Sequence, residues 1–315
     1  MSKNKHKFLT FAALMTGATV AVHFINHTIA TAAQLKQMLH ISNDNYFEWR
    51  FGNIYYTKTG SPILLIHDTL PGASGYEWSK IEDELAIDHT VYTVDLLGCG
   101  RSDKSSITYT NFVYVQMISD FIKKIIGQKT DVIASGFSGS FVTMACHNEK
   151  ELFNKIMLIN PPSLTQLKQM PNRKDRLLKA ALEIPIFGTL VYHMIVSRDN
   201  INNLFIEKMY YNPFHVDNQM ADAYYEAAHK GGYYTRFLYS SLAAKYININ
   251  ICHALKALDN SIYIVEGETE PNGKAVTNDY CASNPAIEVS VLKETKHLPH
   301  VEAPEAFLEQ VKIFF

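Results

Sequence analysis

Gly136-Phe137-Ser138-Gly139-Ser140 follows the apolar run Asp131-Val132-Ile133-Ala134-Ser135 and precedes Phe141-Val142-Thr143-Met144-Ala145-Cys146-His147, a segment of helical character. A strand, a turn with small residues two places either side of a serine, then a helix: this is the context of a nucleophile elbow. So sharp a turn leaves no room for side chains beside the serine backbone. Gly136 and Ser140 meet that need, with a serine where a second glycine is usual. The pattern also fits an ordinary Gly/Ser turn, so its meaning rests on what surrounds it.

Outward from the turn, residues 62–66 and 91–97 are continuous apolar runs of strand length, and 155–159 reads as another strand. Such runs suit strands buried on both faces of a parallel sheet. Residues 46–51 and 53–58 alternate around Gly52 and predict a hairpin. Between strands, 77–85 has helical character, and 110–126 carries Val115, Ile118, Ile122 and Ile125 at helical spacing, stopped by Gly127. Strands alternating with helices predict an α/β class with a doubly wound, mostly parallel sheet. Pro161-Pro162 breaks the alternation, and 163–258 reads as mostly helical and rich in aromatics, from Phe187 and Tyr192 to Tyr239. The α/β pattern resumes at 261–265 and 286–291 and closes with a helix near 304–315. The expected organisation is an N-terminal segment (1–33), a core in two parts (34–160 and 257–315), and an inserted helical lid (161–256).

The 315 residues are 47% hydrophobic and 19% charged, with a formal net charge of −2. That suits one large globular domain with an extra N-terminal piece, and nothing in the charge balance points to nucleic acid. Lys3, Lys5, His6 and Lys7 directly precede an apolar stretch, 8–25, in which His23 is the only ionisable side chain. At about 1.5 Å per residue such a stretch spans roughly 27 Å, enough for a bilayer core. The reading is a retained membrane anchor, N-terminus inside, single-pass in the cell membrane with the remaining chain outside. Ala30-Thr31-Ala32 keeps signal cleavage and secretion as the alternative. Cys99, Cys146, Cys252 and Cys281 are widely spaced without C-x-x-C pairing and are expected as free thiols, not zinc ligands. The scattered histidines imply no metal, and no cofactor is expected.

A serine hydroxyl needs a base for its proton, and the base needs a carboxylate to fix its tautomer. His297 falls between the last strand and the final helix. Glu270 follows the strand at 261–265, with Glu268 two places away as the other candidate. The chain order Ser138, Glu270, His297 is that of an α/β-hydrolase triad.

The chain resembles the α/β-hydrolase superfamily, in its lid-bearing esterase, lipase and epoxide-hydrolase-like branch. Four stretches carry the resemblance: Leu64-Leu65-Ile66-His67-Asp68 with Pro71-Gly72 and Trp78; Asp95-Leu96-Leu97-Gly98-Cys99-Gly100-Arg101-Ser102; the turn around Ser138; and His297-Leu298-Pro299-His300-Val301-Glu302-Ala303-Pro304-Glu305. It implies the α/β-hydrolase fold, Ser138 as nucleophile, His297 as general base and Glu270 as the acidic member. The backbone N–H of Gly139 would supply half of an oxyanion hole, and Thr69 or Leu70 the other half. Three departures stand out: Asp68 for the glycine that follows the histidine, Ser140 for the last elbow glycine, and Glu270 for aspartate.

Other residues have blander readings. His67 is expected to hold its loop, His300 to pack at a helix entry, and Gly98-Cys99-Gly100 to form a tight turn instead of a phosphate cradle. Lid aromatics are expected mainly as packing, some lining an apolar pocket. The resulting expectation is a carboxylesterase-like serine hydrolase that cleaves a small or medium apolar ester through an acyl-enzyme. Acyl transfer, C–C hydrolysis and perhydrolysis by the same triad are alternatives. So is a catalytically silent binding module, which Asp68 keeps open. Oligomeric state is not legible.

Overall fold

The computed structural model describes residues 2–39, 45–59 and 62–315, with side chains from Met15 onward except at 58–59. Its centre is an eight-stranded sheet: β1 (Tyr46–Trp49), β2 (Gly52–Thr59), β3 (Pro62–Ile66), β4 (Thr90–Val94), β5 (Thr130–Ser135), β6 (Phe153–Ile159), β7 (Ile262–Gly267) and β8 (Glu288–Leu292). The spatial order is β1-β2-β4-β3-β5-β6-β7-β8. The expected hairpin is present, Trp49 opposite Gly52, and β2 runs antiparallel to β4. From β4 to β8 every pairing is parallel.

The continuous apolar runs work as two interleaved faces, because successive side chains in a strand point to opposite sides. Leu64, Ile66, Val132 and Ala134 join one buried cluster. Ile63, Leu65, Ile133 and Met157 join the other, with Trp78, Leu85 and Phe307.

Helices cover both faces. α1 (Ser2–Ala33) precedes the sheet, α2 (Glu82–Asp88) links β3 to β4, and α3 (Asn111–Phe121) and α4 (Ser138–Asn148) flank β5. The helix expected over 110–126 continues past α3 in a wider turn, Ile122–Ile126, and ends where Gly127 takes φ 72°. After β6 come α5 (Leu164–Leu167), α6 (Arg173–Leu182), α7 (Phe187–Ile195), α8 (Arg198–Leu204), α9 (Asn218–His229), α10 (Arg236–Ala243) and α11 (Cys252–Ala257). They form the inserted helical block, whose own core of Tyr192, Phe205, Tyr210 and Tyr224 meets Ala73 and Leu298 of the sheet domain. α12 (Gly273–Ser283), α13 (Pro299–Glu302) and α14 (Pro304–Phe314) complete the chain.

α1 packs against α7 and α9. Asn26 is buried there, its Nδ2 donating to the Ile186 carbonyl at 3.4 Å. Val20, Phe24 and Ile25 are exposed. Among the described residues no single helix is long and apolar enough to cross a membrane. The anchor expected over 8–25 is therefore not shown, and its positions 8–14 lie outside the described side chains.

Candidate active site

β3 and β5 are neighbours, and both end at the same edge of the sheet. His67 and Asp68 follow β3 and are buried. The backbone N–H of Leu96 donates to His67 Nε2 at 3.0 Å, so the ring proton sits on Nδ1, 2.6 Å from the Asp68 carbonyl oxygen that accepts it. His67 thus fixes the loop, as expected.

The turn after β5 differs from expectation in register. The left-handed residue is Gly136, with φ 54°, and Phe137 and Ser138 enter α4 with helical backbone. β5 stays extended through Ser135, so the chain reverses at the first residue beyond it. The strained position that holds a nucleophile in an elbow is therefore Gly136, two residues before the expected Ser138. The small flanking residues become Ala134 and Ser138.

Ser138 has no exposed surface. Its hydroxyl donates to the His67 carbonyl at 2.6 Å and lies 3.0 Å from the Thr69 hydroxyl. Among the described residues no hydrogen bond joins it to His297. The expected oxyanion donors are corrected too. The Gly139 N–H turns back to the Gly136 carbonyl at 3.2 Å, and the Thr69 N–H donates to Asp68 Oδ1 at 2.6 Å. A second donor that the sequence reading missed, the Phe137 N–H, reaches the same oxygen at 2.7 Å. Leu70 lines the cavity beside them.

Glu270 and His297 do meet: His297 Nδ1 is 3.2 Å from Glu270 Oε1. Glu268 does not; its carboxylate accepts the Glu294 N–H at 3.0 Å. The other imidazole nitrogen, Nε2, is 3.4 Å from Asp68 Oδ2. Burial alone would lower the imidazole pKa, but hydrogen bonds and charge from Asp68 and Glu270 prevail and raise it to about 10. At neutral pH His297 is an imidazolium between two carboxylates.

Asn160, at the end of β6 with φ 42°, holds this arrangement and was not singled out from sequence. Its Nδ2 donates to the carbonyls of Lys296 and His297 at 2.8 and 3.0 Å, and its Oδ1 accepts the Gly267 N–H at 3.0 Å. Behind the site His300 is fully buried and stacks on Trp78 at 4.6 Å, with Nε2 3.1 Å from Glu77 Oε1. Burial would raise the Glu77 pKa, yet the His300 contact holds that carboxyl below its ordinary value. His300 packs, as expected.

A cavity of about 510 Å³ opens over these groups. Asp68, Glu270 and His297 line it, with Lys208, Glu266 and Thr277 as further polar groups, and Phe137, Pro162, Leu204 and Met209 supply apolar wall. Ser138 is not part of its lining. Nor are the lid tyrosines, which pack within the lid or face outward; Tyr239 lines a smaller neighbouring cavity of about 280 Å³. Among the described residues no cluster of His, Cys, Asp or Glu has a metal-binding arrangement, and all four cysteines are free. Gly98-Cys99-Gly100 is a tight turn folded around the Asp95 carboxylate, which the Arg101 N–H bonds at 2.6 Å.

Curated relatives match only part of the chain. The 2-hydroxy-6-oxo-6-(2'-aminophenyl)hexa-2,4-dienoic acid hydrolase of Metapseudomonas resinovorans is 29% identical over 107 residues, 33% of this chain and 37% of its own. The chain spans about a third of the length of the curated relatives it matches. Among solved structures, the epoxide hydrolase CorEH is similar with a TM-score of 0.71 at 16% identity, covering 87% of this chain and 98% of that one. A membrane phospholipase A described as a bacterial virulence factor gives 0.67 at 17% identity, covering 98% and 97%. These structural likenesses speak to the fold alone. The model of the alpha/beta hydrolase family matches residues 63–310, most of the sheet and the whole inserted block. The chain belongs to the alpha/beta hydrolase family.

Proposed function

We propose that the protein is a hydrolase acting on a small or medium-sized apolar substrate. The observation that carries this reading is the Glu270–His297 pair in the lining of a largely apolar cavity. An imidazole held by a carboxylate beside a largely apolar cavity is placed to pass protons to and from a bound substrate. The test is turnover of a panel of apolar substrates by the full chain. His297→Ala is expected to lower kcat/KM by about a hundredfold or more, and an unchanged rate would remove His297 from the mechanism.

Which bond is cleaved depends on the nucleophile. The ester reading uses Ser138, His297 and Glu270, and the Glu270–His297 contact is what supports it. It requires His297 to leave Asp68 and Ser138 to give up the His67 carbonyl. Fluorophosphonate labelling that is lost in Ser138→Ala would support it; absence of labelling in folded protein would exclude it.

The same proposal places the protein at the cell membrane through its N-terminal helix, with the hydrolase domain outside. The lysines ahead of the apolar run 8–25 and the exposed Val20, Phe24 and Ile25 support this. Carbonate washing of membranes checks it: an anchored chain stays with the pellet, and a peripheral one is released.

A further inference from the structure

The left-handed turn after β5 carries no side chain, and a carboxylate from another strand fills the vacant space. A Cβ on Gly136 would lie 2.2 Å from Asp68 Cγ and within 2.5 Å of both its oxygens. The carboxylate thus sits where a side chain of residue 136 would project. Its Oδ1 is held by two backbone donors from separate segments, Thr69 and Phe137. Its Oδ2 faces His297 Nε2, whose far side is held by Glu270. Ser138 has none of these relations and does not line the cavity; Asp68 does both.

We propose that Asp68 is the nucleophile of this enzyme, delivered from the loop after β3, and that it attacks saturated carbon bearing a leaving group. The inference rests on the hydrolase reading above and supplies its nucleophile and substrate class. Chemistry selects the class. A carboxylate that adds to an ester is a weaker base than the alkoxide it would have to expel, so it leaves again and nothing is gained. Displacement at saturated carbon gives instead a stable alkyl ester on the enzyme.

The steps balance. An Oδ2 lone pair forms the new C–O bond as the carbon–leaving-group bond breaks, and the leaving group departs with that electron pair. A halide leaves as the anion, and the opened ring oxygen of an epoxide takes the His297 proton. Esterification removes one of the two negative charges that hold the proton on His297, so after halide loss the imidazolium releases it to solvent. Neutral His297 then takes a proton from water, whose oxygen adds to Asp68 Cγ. The oxyanion that forms on Oδ1 already has its two donors, the Thr69 and Phe137 N–H groups. Collapse expels Oδ2 with the alkyl group, and that oxygen takes the proton back from His297. The new carboxylic acid passes its own proton to His297, and the resting ion pair is restored.

Full-length protein incubated with styrene oxide or bromohexane in water enriched in heavy oxygen tests this, followed by mass spectrometry of the peptide that holds Asp68. The expected result is heavy oxygen in Asp68 after repeated turnover, ordinary oxygen in the product of the first turnover, and an alkyl adduct on Asp68 that persists in His297→Gln. Asp68→Asn is expected to lose at least about a thousandfold in rate. The wild-type isotope signal needs no substitution, so it does not depend on a variant folding. Product without heavy oxygen in Asp68 and without an adduct in His297→Gln overturns the proposal and leaves the hydrolase reading standing. Failure of both probes to react with Asp68 overturns it as well. Alkylation of Asp68 that never releases product keeps the nucleophile and overturns the hydrolase reading.

Discussion

Asp95 has no exposed surface, yet it is charged. It accepts the Gly75 and Arg101 N–H groups at 2.6 Å and the Arg101 Nε at 2.8 Å. Burial alone would raise its pKa; the charge and hydrogen bonds of Arg101 bring it down to about 2. Arg101→Ala would leave that carboxylate buried without its countercharge, at an expected cost of about 3–5 kcal/mol in a chemical denaturation series. Because the folded pKa is depressed, the pair's contribution is present above the ordinary Asp range near 4 and is lost as pH falls through about 2. The spacing Asp95-x-x-Gly98-x-Gly100-Arg101-Ser102 was readable as a turn. That its arginine closes back on its aspartate was not, because the contact depends on left-handed backbone at Gly98 and Gly100. Cys146 is a simpler case: it is buried on α4, and burial pushes its thiol up to about 12. It should resist alkylating reagents at neutral pH until the protein unfolds, which a thiol titration with and without denaturant would show.

At the scale of elements, strands and helices were legible wherever periodicity is strong, in β3 to β7 and in α3 and α4. Loop groups were legible when their order along the chain was diagnostic, as for Glu270 and His297. The register of the elbow was not. Gly136-x-Ser138-x-Ser140 and Ala134-x-Gly136-x-Ser138 both satisfy the demand for small residues, and only the backbone angle at Gly136 separates them. One signal pointed the other way: a carboxylate at Asp68, where the resemblance expects glycine, coincides with a side-chain-free turn. The same loops make stability depend on alkali. His297 is raised to about 10 in the fold against an ordinary value near 6.5. Its contribution is therefore complete below about pH 6.5 and disappears as pH rises through about 10. Thermal melts across that window should show a falling Tm, and Asp68→Asn, which removes one of the two anchoring charges, should show a smaller fall.

At the scale of the whole molecule, the strand order puts β3 and β5 side by side while about seventy residues of chain separate the Asp68 and Gly136 turns. Parallel strands require such crossovers, and they bring two distant turns to one edge of the sheet. The N-terminal helix belongs to the same level. The segment just after it is tied to α9, where the Met38 and Leu39 N–H groups both meet the Glu226 carboxylate and Lys36 pairs with Asp222. Removing residues 1–39, which takes away these contacts and the packing of α1 on α7 and α9, is expected to lower Tm, and scanning calorimetry of the two forms would measure it.

The space between the two turns holds one side chain and no more. A side chain at 136 and a carboxylate at 68 exclude each other, so the two positions cannot change independently. Gly136→Ser alone forces atoms to within 2.5 Å, and Asp68→Gly alone empties the space and leaves two N–H donors facing nothing. Joined, the two changes move an occupant from one strand to the other while keeping the volume filled. A double-mutant cycle should find each single substitution destabilising by more than about 1 kcal/mol and the pair well below their sum. Any lineage passing between the two arrangements would have to cross that barrier in a single paired step or through a weakened intermediate.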